Sequence, residues 1–233
     1  MSTWAGIDGE SDGDLIRAGV QEMYDPATGF VYLLPWWEIL PAAETPISGM
    51  SVLPGDSMTV TISQLSGTDW AIELTNNSTG ASFVTDQTYT GPGSSVEWIA
   101  EAPTVDGSIS TLADCTPDNT FTDVGVTGPQ NVLVEKFMVQ RGVEVSTPSA
   151  LNASGFSVAY GDVAPSPPWP NMGRRGSPIV DERHLTMDSA TLEEVAISVA
   201  HPARRHTRPG RRRADRTHRV GDHRTNRAQS PIR

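Results

Sequence analysis

Glu97 is the residue whose surroundings offer acid–base chemistry. It lies in Ser95-Val96-Glu97-Trp98-Ile99-Ala100-Glu101. In an extended strand Glu97, Ile99 and Glu101 share one face, and Val96, Trp98 and Ala100 share the other. A carboxylate on such an aromatic strand has two readings. It faces water and does nothing, as most strand glutamates do, or it is partly desolvated, its pKa rises and it becomes a candidate acid or base. A second acidic string, Asp8-Gly9-Glu10-Ser11-Asp12-Gly13-Asp14, opens like a calcium loop with alternating acids. Its twelfth position is Gly19 where a bidentate Glu is needed, and its flanks are not helical, so an acidic surface turn is the better reading and no metal is expected.

The rest of the composition narrows the chemistry. From Met1 to Gly173 there are three basic residues (Arg17, Lys136, Arg141) and 21 acidic ones, a net charge of −18. From Arg174 to Arg233 there are 14 Arg, seven acids, all five His and no aromatic residue, a net of +7. With no His before His184 and one Cys, Cys115, the body has neither a Ser-His-Asp triad nor a Cys-His dyad nor a Cys/His zinc site. Its chemistry is left to carboxylates, amides and hydroxyls, and no cofactor is expected. A body so acidic is repelled by nucleic acid and by anionic membranes, so neither is an expected partner.

The elements that must position these residues are strands. Runs such as Ser57-Met58-Thr59-Val60-Thr61-Ile62 and Trp70-Ala71-Ile72-Glu73-Leu74-Thr75 alternate, β-branched residues dominate, and turns such as Ser66-Gly67-Thr68-Asp69 recur about every ten residues. The pattern predicts an all-β fold over residues 1–161: two packed antiparallel sheets in a β-sandwich. Ala164-Pro165-Ser166-Pro167-Pro168-Trp169-Pro170 predicts a Pro-rich linker over 162–187. In 188–233 a short helix is expected over Asp188 to Ala200, with Thr191 and Glu194 at capping-box spacing and Leu192, Val195 and Val199 on one face. The remaining 33 residues hold 11 Arg and nothing to bury, so a disordered basic tail is expected. Asn76, Asn77 and Asn152 head glycosylation sequons, a short pattern that is common by chance.

Seven strings in order, STWAGIDG, DLIRAGVQ, PWWEILPAAE, VLPGDSMTV, WAIELTNNSTGASF, SSVEWIAEAP and LNASGFSVAYG, resemble the glutamic peptidase (eqolisin) family over about Ser2 to Gly161. The resemblance implies an acid endopeptidase on a β-sandwich of jelly-roll, concanavalin-like type, with a concave cleft for polypeptide substrates. Its members use a Glu and Gln pair without His, metal or cofactor. By position Glu97 falls on the catalytic Glu, which the resemblance implies is general base toward the attacking water and then general acid toward the leaving amine. Trp4, Asp8, Trp36 and Glu38 fall on positions lining the cleft. For the two Trp the competing reading is sandwich packing, and for Asp8 a solvated turn.

The partner position departs from the family. The run is Leu15-Ile16-Arg17-Ala18-Gly19, so Arg17 stands where the catalytic Gln is expected. An amide donates and accepts, whereas a guanidinium only donates and stays charged. Beside Glu97 it is expected to favour the carboxylate and lower its pKa, weakening the acid. Gln21 is an unsuitable substitute, because four residues along a strand is about 13 Å. The expectation is feeble or absent hydrolysis with the cleft retained, restorable by Arg17→Gln. The alternative is a non-catalytic sandwich that binds peptide or carbohydrate in the same cleft, and a third class is nucleic-acid binding through the Arg-rich tail. The family's strands before TWAGIDG have no counterpart ahead of Met1, which reads as an N-terminal truncation that would open ladder edges. Family members are generally secreted, and no signal peptide precedes Trp4, so the chain is expected to be cytoplasmic as written or a truncated secreted protein. A monomer is expected.

Overall fold

Residues 1–105, 107–127, 133–169 and, as backbone alone, 194–200 are described by a computed structural model. Alternating β-branched and polar residues give strands here, and no helix forms among the described residues. The first eight strands are β1 (Ser2–Asp8), β2 (Leu15–Tyr24), β3 (Val31–Ile39), β4 (Thr45–Pro46), β5 (Ser57–Ser66), β6 (Asp69–Asn76), β7 (Ala81–Thr88) and β8 (Val96–Glu101). They are followed by β9 (Thr104–Val105), β10 (Ser108–Ile109), β11 (Asn119–Thr127), β12 (Met138–Gln140), β13 (Val143–Pro148), β14 (Phe156–Tyr160) and β15 (Glu194–Ala200). One sheet has the order β4-β3-β2-β1-β8 and the other β12-β13-β14-β11-β15-β5-β6-β7, while β9 and β10 form a small ribbon.

The core lies between the two sheets. Ala5 and Ile7 of β1 and Ile16, Ala18 and Val20 of β2 meet Met58, Val60 and Ile62 of β5, Ile72 and Leu74 of β6 and Phe121 of β11. Burial of these side chains on one face of the smaller sheet sends Ser2, Trp4 and Gly6, one residue out of phase, to the opposite face. That opposite face carries the site. The expected β-sandwich is therefore found, and β1 is paired on both flanks, by β2 and by β8.

The expected helix over Asp188 to Ala200 is not what forms where the chain is described. Glu194–Ala200 is strand β15, antiparallel to β5 through Ile197↔Val60 and to β11 through Val199↔Phe121. Val195, Ile197 and Val199 place a β-branched residue at every second position, and partners on both sides outweigh a capping box and a three-residue helical stripe. The sandwich thus draws on chain well past residue 161. Residues 170–193 and 201–233, with the outer part of the expected linker, the start of the expected helix and the expected disordered tail, lie outside the described residues.

An interior strand cannot lose a ladder donor cheaply. Ile197→Pro is expected to destabilise the whole domain by more than about 2 kcal/mol, measured as a lower denaturant midpoint of the tryptophan signal. An unchanged midpoint would mean that β5 and β11 do not depend on β15.

Candidate active site

The register of three strands builds one row across the outer face of the smaller sheet. Gly6 of β1 stands opposite Arg17 of β2 and opposite Glu97 of β8, and Arg17 stands opposite Glu38 of β3. Two interstrand spacings separate the backbones of Arg17 and Glu97 by about 9.6 Å. Gly6 is required by close approach, since a Cβ added there would lie 2.9 Å from the Trp4 ring and 3.1 Å from both the Arg17 Cβ and the Ile16 carbonyl oxygen. The next row is Trp36, Gly19, Trp4 and Ile99. Gly19 is required by close approach, since its Cβ would lie 2.2 Å from the Thr3 carbonyl oxygen and 2.6 Å from the Trp4 Cβ. Trp4 folds down onto that flat spot and joins Leu15, Trp36, Leu40 and Ile99 in an apolar floor separate from the inter-sheet core.

Arg17 is held on every side. Its Nε donates to Glu38 Oε2 at 2.7 Å, a second guanidinium nitrogen lies 2.7 Å from the same oxygen, and the third donates to Glu101 Oε1 at 3.1 Å. The guanidinium carbon lies 4.7 Å from the Trp4 ring centroid and 5.2 Å from that of Trp36, within cation–π range. Trp4 Nε1 donates to the same Glu101 oxygen at 2.9 Å. The cation is therefore spent on Glu38 and Glu101 rather than on Glu97.

Glu97 accordingly behaves differently from the expectation. Its carboxyl is half-buried, accepts no hydrogen bond among the described residues, and its pKa is raised to about 7. Burial is the main cause and the charge of Glu10 the next, while Lys136 and Arg17 pull in the opposite direction and Glu101 adds a small push upward. The predicted lowering by Arg17 is present but overridden, because desolvation acts on Glu97 directly and the guanidinium is already neutralised by two nearer carboxylates.

Asp8 is not a lining residue. It is fully buried at the end of β1, in a left-handed conformation with φ 67°, which Asp tolerates better than most residues. Its carboxylate accepts from Tyr89 Oη at 2.5 Å, Gly93 N at 2.9 Å, Ser94 N at 2.5 Å and Ser94 Oγ at 3.0 Å, and its own N–H donates to the Ser95 carbonyl at 2.9 Å. These bonds fasten the segment that leads directly into β8 and so set where Glu97 stands. Burial, then the bond to Asp8, holds the Tyr89 phenol far above its ordinary pKa. In the acidic turn that follows, Asp12 accepts from the Asp14 N–H and the Ser94 hydroxyl, and Glu10 pairs with Lys136.

The row of Glu97, Gly6, Arg17 and Glu38 on the outer sheet face sits within a stretch with known relatives. The sequence pattern of the Peptidase A4 family matches residues 1–162. The chain belongs to that family, the glutamic peptidases. Among solved structures this glutamic peptidase is similar to aspergilloglutamic peptidase from Aspergillus niger, with 25% identity over 68% of this chain and 97% of that one and a TM-score of 0.59. It is also similar to scytalido-glutamic peptidase solved with a transition state analog inhibitor, with 20% identity over 68% of this chain and 82% of that one and a TM-score of 0.55, a likeness that shows the fold. No curated protein matches the chain significantly.

The structure of this glutamic peptidase brings Arg17, Glu38, Glu97, Trp4 and Trp36 onto one face and sets Asp8 beneath it. The reading of the two Trp as inter-sheet packing does not hold, since both belong to the outer floor. Glu101, Gly6 and the Glu10–Lys136 pair join the site without having been singled out from sequence. For Glu101 the signal was present, as it shares the face of Glu97. Gly6 and Lys136 carry none that strand periodicity alone reveals.

Two outcomes follow for stability. Glu97 holds a proton in the folded chain that the unfolded chain, with an ordinary pKa of 4.5, releases, so stability falls as pH rises from about 4.5 to about 7. Glu97→Gln is expected to raise the melting temperature at pH 8 and leave it unchanged at pH 4; a lower melting temperature at pH 8 would contradict the assignment. Asp8→Ala removes the acceptor of four hydrogen bonds, among them those of the buried Tyr89 hydroxyl and Gly93 N–H, and is expected to cost about 3 kcal/mol or more in denaturant unfolding, against a change within about 0.5 kcal/mol if Asp8 were a solvated turn residue.

Proposed function

We propose that this chain is an endopeptidase in which Glu97 activates the water that attacks a peptide carbonyl lying over Gly6. The observation that supports the reading is a half-buried carboxyl, raised to about 7 and without a hydrogen-bonding partner among the described residues, in one row with Gly6 and Arg17 beside an apolar floor. As carboxylate, Glu97 takes a proton from water as the carbon–oxygen bond forms. As carboxylic acid, it returns that proton to the amine when the carbon–nitrogen bond breaks. A group poised between these two forms suits both steps.

Arg17 occupies the side from which the developing oxyanion would be stabilised. A guanidinium donates as an amide does, so electrostatic stabilisation of the tetrahedral intermediate is available to it in principle. Its donors are already directed at Glu38 and Glu101, and turning one toward substrate breaks a 2.7 Å or a 3.1 Å contact. This locked geometry favours a second reading, a cleft that holds polypeptide without cleaving it. Gln at position 17 would return a donor and acceptor to the row while leaving Glu38 without its cation.

Hydrolysis of an unfolded protein is the discriminating assay. Arg17→Gln is expected to release peptides at least about tenfold faster than the natural chain, and Glu97→Gln added to it to lower that rate by about 10²–10⁴-fold. Because the base form is scarce well below its midpoint, the rate is expected to climb from pH 4 toward about 7. Saturable binding of the unfolded protein with no release from any variant would establish the non-catalytic reading.

A further inference from the structure

From Met1 to Gly173 the chain has 21 acids and three basic residues, and two of those three, Arg17 and Lys136, act on Glu97. Arg17 is engaged by Glu38 and Glu101. Lys136 is placed differently. It stands two residues before β12, the edge strand of the larger sheet, and pairs with Glu10 of the β1–β2 loop. The two side chains are 56% and 52% exposed, so the ion pair adds little to global stability. Its consequence lies in what the loop touches.

The loop touches the Glu97 carboxyl. At Gly9, the residue before Glu10, a Cβ would stand 3.4 Å from Glu97 Oε2 and 3.5 Å from Oε1, so the loop backbone is packed beside both oxygens. On one side the loop is fastened to the segment that enters β8, by Asp8 to the N–H groups of Gly93 and Ser94 and by Asp12 to the Ser94 hydroxyl at 3.1 Å. On the other side the tie among the described residues is Glu10 to Lys136. The charged groups that face Glu97 are therefore Glu10 from the loop, Lys136 from the segment before β12, Arg17 from β2 and Glu101 from β8 itself. After burial, Glu10 has the largest effect on the Glu97 proton and Lys136 the next, in opposite directions.

We propose that Glu10 and Lys136 are positioning residues for Glu97: the pair holds the loop backbone beside the carboxyl and presents it with two opposite charges whose balance sets when the proton leaves. The inference rests on the reading of Glu97 as the acid–base group of the row, and it brings to that group a residue from beside the larger sheet. The Glu10 carboxylate favours the protonated form of Glu97, and the Lys136 ammonium favours the ionised form. While both are present their effects oppose each other and burial governs the group. Removing either one leaves the other charge unopposed, so the two removals act with opposite sign.

The test follows the Glu97 side-chain carboxyl carbon by ¹³C NMR in the natural chain, Lys136→Met, Lys136→Arg and Glu10→Gln, at low salt and at about 1 M salt. Lys136→Met is expected to raise the titration midpoint by about 0.5 pH unit or more, and Glu10→Gln to lower it by a similar amount. Lys136→Arg, which keeps the charge, is expected to hold the natural midpoint. At about 1 M salt, where the screening length is about 3 Å, both shifts should shrink at least about twofold. The denaturant midpoint of Lys136→Met should match that of the natural chain, as a pair this exposed predicts. No shift, two shifts of the same sign, a shift in Lys136→Arg equal to that in Lys136→Met, or shifts undiminished by salt would overturn the proposal. In the Arg17→Gln background the rise of hydrolysis with pH should move with the NMR midpoint, and a rise that stays in place while the midpoint moves would overturn the link to chemistry. Absence of hydrolysis in every variant tells against the peptidase reading alone, because the NMR midpoint is read without substrate.

Discussion

The antiparallel register that seats Gly6 between Arg17 and Glu97 is the constraint from which the site follows. It is held by burial on the other face, where Ala5, Ile7, Ile16, Ala18 and Val20 meet the second sheet. A slip of one residue would turn these into the open and bring Trp4, Arg17 and Glu97 into an apolar core, an exchange of buried apolar surface for buried charge that the fold cannot make. The position of the row is thus guaranteed by hydrophobic packing beneath it. The Asp8 cluster adds the longitudinal constraint by fixing the chain just before β8.

Within that frame the electrostatics divide into two parts. Arg17, Glu38 and Glu101 neutralise one another over an aromatic floor, and the arrangement is mainly satisfied. Glu97 is left outside it, half-buried and without a hydrogen-bonding partner among the described residues. Desolvation raises its pKa more than the guanidinium lowers it, because interaction falls with distance and with prior neutralisation whereas burial acts on the group itself. Arg17 is therefore bound up with Glu38 and Glu101 more than with the titration of Glu97.

Much of the fold was legible in the residues. Strand alternation in Ser57–Ile62 and Trp70–Thr75 placed β5 and β6, and the ordered strings carried the family and the sandwich. The face shared by Glu97 and Glu101 followed from a period of two. What periodicity could not show was which groups meet across strands that are distant in sequence. Arg17 bonds to Glu38 and Glu101 rather than meeting Glu97 alone, and Asp8, a residue that reads as part of a solvated turn, is buried because Tyr89, Gly93 and Ser94 supply four donors from 81 to 86 residues away. Asn76 shows the same effect: it heads a sequon yet is fully buried and bonded to Ser51, Asp56, Ser78 and Thr79, so it offers no site for a glycan. Strand β15 departs from the expected helix for a related reason. A seven-residue segment with both a helical stripe and a β-branched alternation is decided by its neighbours, and those neighbours are β5 and β11.

Glu97 is, among the described residues, the unpaired, half-buried acid of the row, and the chemistry of the face depends on it. Its side-chain carboxyl carbon, followed by ¹³C NMR across the pH range in the natural chain and in Arg17→Gln, measures this without requiring turnover. A midpoint at about 7 is expected in the natural chain, moved upward when the guanidinium is removed. A midpoint at or below 4.5, or one that falls on removing Arg17, would contradict it.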